Sequence, residues 1–294
     1  MKVFISIFAI LLTCQLSSAQ DLKLPQESPT ASVSYTVGYT EIKIDYSSPA
    51  VREREIWGSV VPYDQVWGAG ANEATTVSFS TDINIEGTFL DKGKYSLFII
   101  PQKGDEWIAV FNSDTRLWGT RNYDKSKDVA RINVPVKFVN VPQERLAYEV
   151  VDQNPEQGYI RLAWDKARVY IRFRVNVVED AMQQVDAALE HAQPGQKWMI
   201  MARGAEFLLE TGKQIGQAMD WADESSDLKQ ASYNWWVRAR VLAKKEMFLE
   251  AIESGKKAIE FGKRDTADSY YKLNEQQIRS QMESWVQYVN GQND

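Results

Sequence analysis

The feature that most constrains this chain is a change of hydrophobic period near residue 178. From Ser32 to about Val178 the apolar positions alternate and are rich in β-branched and aromatic residues; from Glu179 onward they recur every three or four residues. In "YIRLAWDKARVYIRFRV", Ile160, Leu162 and Trp164 point opposite to Tyr159, Arg161 and Ala163. Val169, Ile171, Phe173 and Val175 then alternate with Tyr170, Arg172 and Arg174, and Asp165-Lys166 supplies a tight turn between the two arms. Similar runs, such as "EIKIDYS", "KYSLFIIP" and "WIAVFN", are separated by Gly, Pro, Asn and Asp. Runs of this kind predict an antiparallel β-sandwich of about eight to ten strands.

Six runs after Glu179, from "DAMQQVDAALEHAQ" to "DSYYKLNEQQIRSQMESWVQYV", are rich in Ala, Leu, Lys, Glu and Gln at helical spacing. Trp235, Ala239, Leu242, Ala251 and Ala258 fall at the spacings of a tetratricopeptide hairpin, and Ala218 and Ser225 repeat the last pair 33 residues earlier. The expected fold class is therefore α+β and multidomain: a sandwich over 32–178, then an all-α tetratricopeptide-like region over 179–294.

The first 19 residues read as a signal peptide: Lys2 as the positive region, Val3 to Leu12 as the apolar core, and Ser17-Ser18-Ala19 as the cleavage site. Residues 20–31 form a linker. The single cysteine, Cys14, lies inside that signal, and Thr13 stands where a lipidation motif has a small residue, which argues against a lipid anchor. After cleavage the chain has no thiol, hence no disulfide and no thiolate chemistry, and no later run reaches the length of a transmembrane helix. The expected location is secreted or periplasmic. A net charge of −6 with interspersed signs argues against nucleic acid as a partner.

The stretch "VPYDQVWGAGANEATTVSFS", Val61 to Ser80, concentrates the candidate chemistry. Gly68-Ala69-Gly70 lacks the third glycine of a dinucleotide loop, because Glu73 stands in its place. Two readings of this corner are open. In one, the glycines permit close backbone approach, Trp67 fills the end of a core, Asn72 bonds to backbone and Glu73 is buried against Arg54. In the other, Arg54, Tyr63, Asp64, Trp67, Asn72 and Glu73 form a ligand-binding set at the mouth of the sandwich.

The residues "SPAVREREIWGSVVPYDQVWGAGANEATTVSFS", with "GTFLDKGKYSLFIIP" and "WIAVFN", resemble the domain of unknown function 2911 family over roughly Leu24 to Val175. That resemblance implies a β-rich domain of secreted or envelope proteins in Bacteroidetes-type bacteria, and it lends no activity. Arg54 matches the family pattern. Glu53 departs from it, as does Gly68, where relatives often carry an arginine.

Other candidates are bland. His191, the only histidine, sits at a helix end and excludes a multi-histidine metal site; a serine triad would have to use it, and no G-x-S-x-G elbow accompanies it. Asp124 and Asp128 lack the alternation and glycine of a calcium loop. Trp57, Trp67, Trp107, Trp118 and Trp164 are candidates for a sugar-stacking platform, but a sandwich core absorbs most such residues. Of Trp235 and Trp236, adjacent on a helix, one at most is expected to face inward. The sequence calls for no cofactor, no metal and no catalytic residue. It favours a non-enzymatic binding or scaffolding module, with a small ligand or glycan at the sandwich loop and a peptide or protein at the helical tail. The alternatives are an envelope hydrolase of glycans or peptides using carboxylates near Glu73, with Asp64 as its partner, and a carbohydrate-binding platform.

Overall fold

A computed structural model describes residues 24–291. The signal segment, Cys14 and the first residues of the linker lie outside the described residues. Nine strands come first: β1 (Thr30–Val37), β2 (Thr40–Ser47), β3 (Thr76–Phe79), β4 (Ile83–Ile85), β5 (Thr88–Leu90), β6 (Gly93–Ile100), β7 (Glu106–Asn112), β8 (Asp128–Asn154) and β9 (Gln157–Val175). Six helices follow: α1 (Val177–His191), α2 (Lys197–Thr211), α3 (Ile215–Leu228), α4 (Ser232–Lys244), α5 (Phe248–Arg264) and α6 (Ser269–Gly291). The strand order is β1-β2-β3-β6-β7-β8-β9-β4-β5, and every pairing is antiparallel. No helix among the described residues is long and apolar enough to cross a membrane.

The long strand β8 joins the two layers. Its first part, to Pro135, pairs with β7; from Val136 it pairs with β9, with register breaks between Phe138 and Ala147. The segment β9 doubles back on itself. In one straight strand Tyr159 and Tyr170 would lie about 36 Å apart. Their rings are instead 5.3 Å apart, and the Val175 amide donates to the Glu156 carbonyl at 2.8 Å. Asp165, with φ of +47°, is where the chain reverses, so the Asp165-Lys166 turn is present.

Alternation decides which face is buried. Ile42 and Ile44 of β2, Ile160, Leu162 and Trp164 of the first arm of β9, and Val169, Ile171 and Phe173 of the second all enter one core, together with Trp107 and Phe111 of β7. A smaller cluster on the opposite face of β6 and β7 (Phe98, Ile100 and Val110) is covered by Ala74 and Leu117.

The helical half has its own core. The α2/α3 and α4/α5 pairs are hairpins with short connections, and small residues stand where helices cross: Ala218, Ala239, Ala251 and Ala258 are fully buried. Gly262 is required by close approach, since a Cβ there would collide with the ring of Tyr271. Both Trp235 and Trp236 are buried, at 7% and 2% exposure, contrary to the expectation that only one faces inward. The helix α4 touches α2, α3, α5 and α6, so two of its faces are interior. The two halves meet through Val177, Phe207, which packs against both cores, and an ion pair between Lys213 and Glu156 at 2.6 Å.

Candidate functional site

The corner from Trp67 to Thr75 is closed by its own side chains. The Trp67 backbone exchanges both hydrogen bonds with Ile99 at 2.9 Å, which sets the residue beside β6. Its indole N–H donates to the Gly70 carbonyl at 3.0 Å, and its ring stacks on Trp164. The Thr75 amide donates to the Gly68 carbonyl at 3.0 Å. Ala69 is fully buried with φ of +52°, and its carbonyl accepts from the Thr75 hydroxyl at 3.0 Å and the Tyr148 hydroxyl at 2.8 Å. Burial pushes the Tyr148 phenol well above its ordinary pKa, so this donor keeps its proton. Gly70 has no room for a side chain: a Cβ would stand 2.8 Å from Thr75 Oγ1 and 3.1 Å from the Ser47 carbonyl.

The other candidates serve the same corner in different ways. Asn72, with φ of +58°, donates from Nδ2 to Gln26 Oε1 at 3.0 Å, with longer contacts to the Ser28 carbonyl and the Ser47 hydroxyl at 3.4 Å. It therefore ties the segment before β1 to the loop instead of closing a local turn. Asp64, also at positive φ, is exposed and bonds through its amide to the Pro101 carbonyl at 2.8 Å. Tyr63 is half-buried under Gly58. Arg54 donates to the carbonyls of Val51 at 3.0 Å and Ala50 at 2.6 Å. The ion pair expected between Arg54 and Glu73 is not formed, since Glu73 is exposed and Arg54 is consumed by its own loop. Five non-glycine residues at positive φ (Arg52, Glu53, Asp64, Ala69 and Asn72) fall within this short region, a concentration of strained backbone.

Glu73 stands on a ridge between two depressions. On one side is a cleft of about 290 Å³ between Trp67, Gly68, Asn72 and Gly119. On the other is a groove of about 630 Å³ lined by Glu73, Asp45, Lys94 and Arg116, with hydroxyls from Ser32, Ser47, Thr76 and Thr115. Glu73, Trp67 and Asn72 are thus brought together, whereas Arg54, Tyr63 and Asp64 line neither depression.

Asp45, Lys94 and Arg116 are the polar residues that the sequence did not single out. Pairing places Asp45 opposite Thr76 and Lys43 opposite Ser78, and Ser78 opposite Lys94 across β6. Asp45 therefore reaches both lysines, Lys43 at 3.5 Å and Lys94 at 3.8 Å. Alternation in "EIKIDYS" does put Lys43 and Asp45 on the outer face. The approach of Lys94 depends on β6 being the neighbour of β3, which no local pattern announces.

Loop 113–127 forms the far wall. The buried Asn112 holds it, donating to the Asp124 carbonyl at 3.0 Å and to Asp128 Oδ1 at 2.8 Å. Asp124 caps a short 3-10 turn by accepting from the Ser126 amide at 2.9 Å. Asp128 accepts from the Tyr123 hydroxyl at 2.6 Å and from Arg131 at 2.7 Å. Both aspartates therefore hold the loop in place.

Trp57, Trp67, Trp107 and Trp164 pack against one another at centroid distances of 4.6 to 5.8 Å. They do not form an exposed coplanar platform; of the five tryptophans considered, only Trp118 is open to solvent, at 55%. His191 is the exposed last residue of α1.

Residues 28–173 match the model of the family described as Protein of unknown function (DUF2911); the match covers the sandwich and stops before the helices. No curated protein matches the chain.

Proposed function

Because residues 28–173 match the DUF2911 family, whose function is unknown, we propose from the site itself that this protein is a non-enzymatic binding module of the bacterial envelope. It is secreted or periplasmic and holds a small polar ligand or glycan in the groove beside Glu73. The observation that carries this reading is the lining of that groove, where Glu73 and Asp45 stand with Lys94 and Arg116 among six hydroxyl-bearing residues. Such a lining offers donors and acceptors of both charges to a polar molecule. A hydrolase built on Glu73 and Asp64 draws no support from this arrangement, because Asp64 does not share the groove. The helical half is read as tetratricopeptide-like and as a platform for a peptide or protein. Its depression of about 440 Å³ is lined by α2, α4 and α6 through Met199, Glu206, Tyr233 and Tyr270.

Thermal unfolding of the mature protein tests the proposal, with wild type, Glu73→Gln and Lys94→Gln screened against neutral sugars, amino sugars and short peptides. A compound present at about 100 times its Kd stabilises the fold by about 2.7 kcal/mol. The expected result is a midpoint rise in wild type that both variants lose while keeping the wild-type melt without ligand. A compound that shifts all three proteins equally would place binding elsewhere.

A further inference from the structure

A second large depression lies away from Glu73, at the end of the second layer. It measures about 850 Å³ and is lined by Asn84, Phe89, Gln157, Arg172, Arg174 and Asn176, together with the carboxylates of Asp82 and Glu86. Pairing sets Phe89 opposite Asn84 and Asn84 opposite Arg174, which makes a row across β5, β4 and β9. Neighbours in such a row stand about 5 Å apart, so the three side chains span about 10 Å. Phe89 is 81% exposed. The Asn84 carbonyl oxygen accepts from the Gly87 amide at 2.9 Å, which leaves its NH₂ group available.

The outer face leading to this groove is cationic although the whole chain carries a net charge of −6. The positions of β9 that alternate with the core are Tyr159, Arg161, Arg168, Tyr170, Arg172 and Arg174, and Lys137 of β8 lies over the Tyr170 ring at 5.8 Å. Glu149 neutralises Arg161, and Glu86 stands 3.9 Å from Arg172. Arg168 donates to the carbonyls of Asp165, Ala167 and Val141. Among the described residues Lys137, Arg168 and Arg174 have no ion pair.

We propose that this groove binds a carboxylated glycan. The exposed Phe89 ring offers a flat apolar surface for the C–H face of a sugar ring. Asn84, Gln157 and Asn176 supply amides that both donate to and accept from hydroxyls. The Arg174 guanidinium meets a uronate carboxylate with two parallel hydrogen bonds. Concavity and side-chain amides favour a glycan over a nucleic acid, which needs a long basic stripe, and over a flat anionic membrane; Asp82 and Glu86 balance the two arginines of the lining, and Arg174 is the arginine left without an ion pair among the described residues. The proposal does not depend on the groove at Glu73.

The test is calorimetric titration of the full mature chain with galacturonic acid oligomers and, separately, with their methyl esters. Wild type should bind the acid form, and the ester should bind on the order of tenfold more weakly. Arg174→Gln should reproduce that tenfold loss for the acid and leave the ester unchanged. Phe89→Ala should weaken both forms. Both side chains are exposed, so neither variant should move the melting midpoint, and Glu73→Gln should bind as wild type does. The proposal is overturned if wild type ignores the oligomers, if acid and ester bind equally, or if Arg174→Gln has no effect. It is equally overturned if a single-stranded oligonucleotide or phosphatidylglycerol vesicles bind more tightly than the oligomers do at the same salt.

Discussion

The indole of Trp67 lies on the indole of Trp164 with centroids 5.6 Å apart and planes inclined by 21°. One ring comes from the corner loop and the other from the first arm of β9, so this contact fixes the corner against the second layer of the sandwich. The wall of the cleft beside Glu73 is therefore packed directly on the core behind it.

Removing that contact should be costly. Trp67→Ala takes away a large aromatic and the indole donor to Gly70, and aromatic truncations in cores cost about 3 to 5 kcal/mol. Trp67 is only partly buried, so a loss of about 3 kcal/mol in urea unfolding is expected. A loss below about 1 kcal/mol would mean that the corner does not depend on the stack.

The Ala69 carbonyl has two donors, and their removal should not be additive. Tyr148→Phe alone leaves the Thr75 hydroxyl bonded at 3.0 Å and should cost about 1 kcal/mol. Thr75→Val alone leaves Tyr148 and should cost a similar amount. The double variant orphans a buried carbonyl, so its cost should exceed the sum by about 1 kcal/mol or more. A double-mutant cycle with no coupling would refute the shared-acceptor arrangement.

Gly70→Ala and Glu73→Gln should behave oppositely although they are three residues apart. The alanine methyl would press on Thr75 Oγ1, already committed to Ala69, and on the Ser47 backbone, for an expected cost of about 2 kcal/mol. Glu73 is exposed, and its replacement should stay within about 0.5 kcal/mol of wild type. Chemical denaturation of the two variants side by side decides the point.

Stability should fall in alkali. Tyr123 donates to Asp128, and burial, followed by that carboxylate contact, pushes its phenol from 10.0 up to about 12. Its folded pKa lies above the unfolded value, so its contribution is fully present below pH 10 and is lost as pH rises from 10 toward about 12. Tyr148 and Tyr233 are raised as well, chiefly by burial, and act in the same direction. The urea midpoint should hold between about pH 7 and 9 and drop above 10, with a shallower drop in Tyr123→Phe. A midpoint independent of pH across that range would contradict this reading.

Much of the architecture was written in local pattern. The period change at residue 178 separates strands from helices because a side chain's direction repeats every two residues in one and every 3.6 in the other, whatever lies far along the chain. The Asp165-Lys166 turn and the six helices follow from the same local rules. The small residues Ala218, Ala239, Ala251 and Ala258 marked helix crossings for the same reason, since only a short side chain lets two backbones approach. Tertiary structure alone decided what meets what. Alternation put Asp45 on an outer face, but only the order β2-β3-β6 brought Lys94 to it. Alternation likewise exposed Phe89 and Arg174, 85 residues apart, but only the docking of β4 between β5 and β9 set them in one row. The burial of both Trp235 and Trp236 needed α4 to be surrounded, and the separation of Glu73 from Arg54 needed the loop carbonyls that hold Arg54. Side-chain direction is a property of a few consecutive residues, whereas strand order and helix neighbours are set by the free energy of burying every apolar face at once.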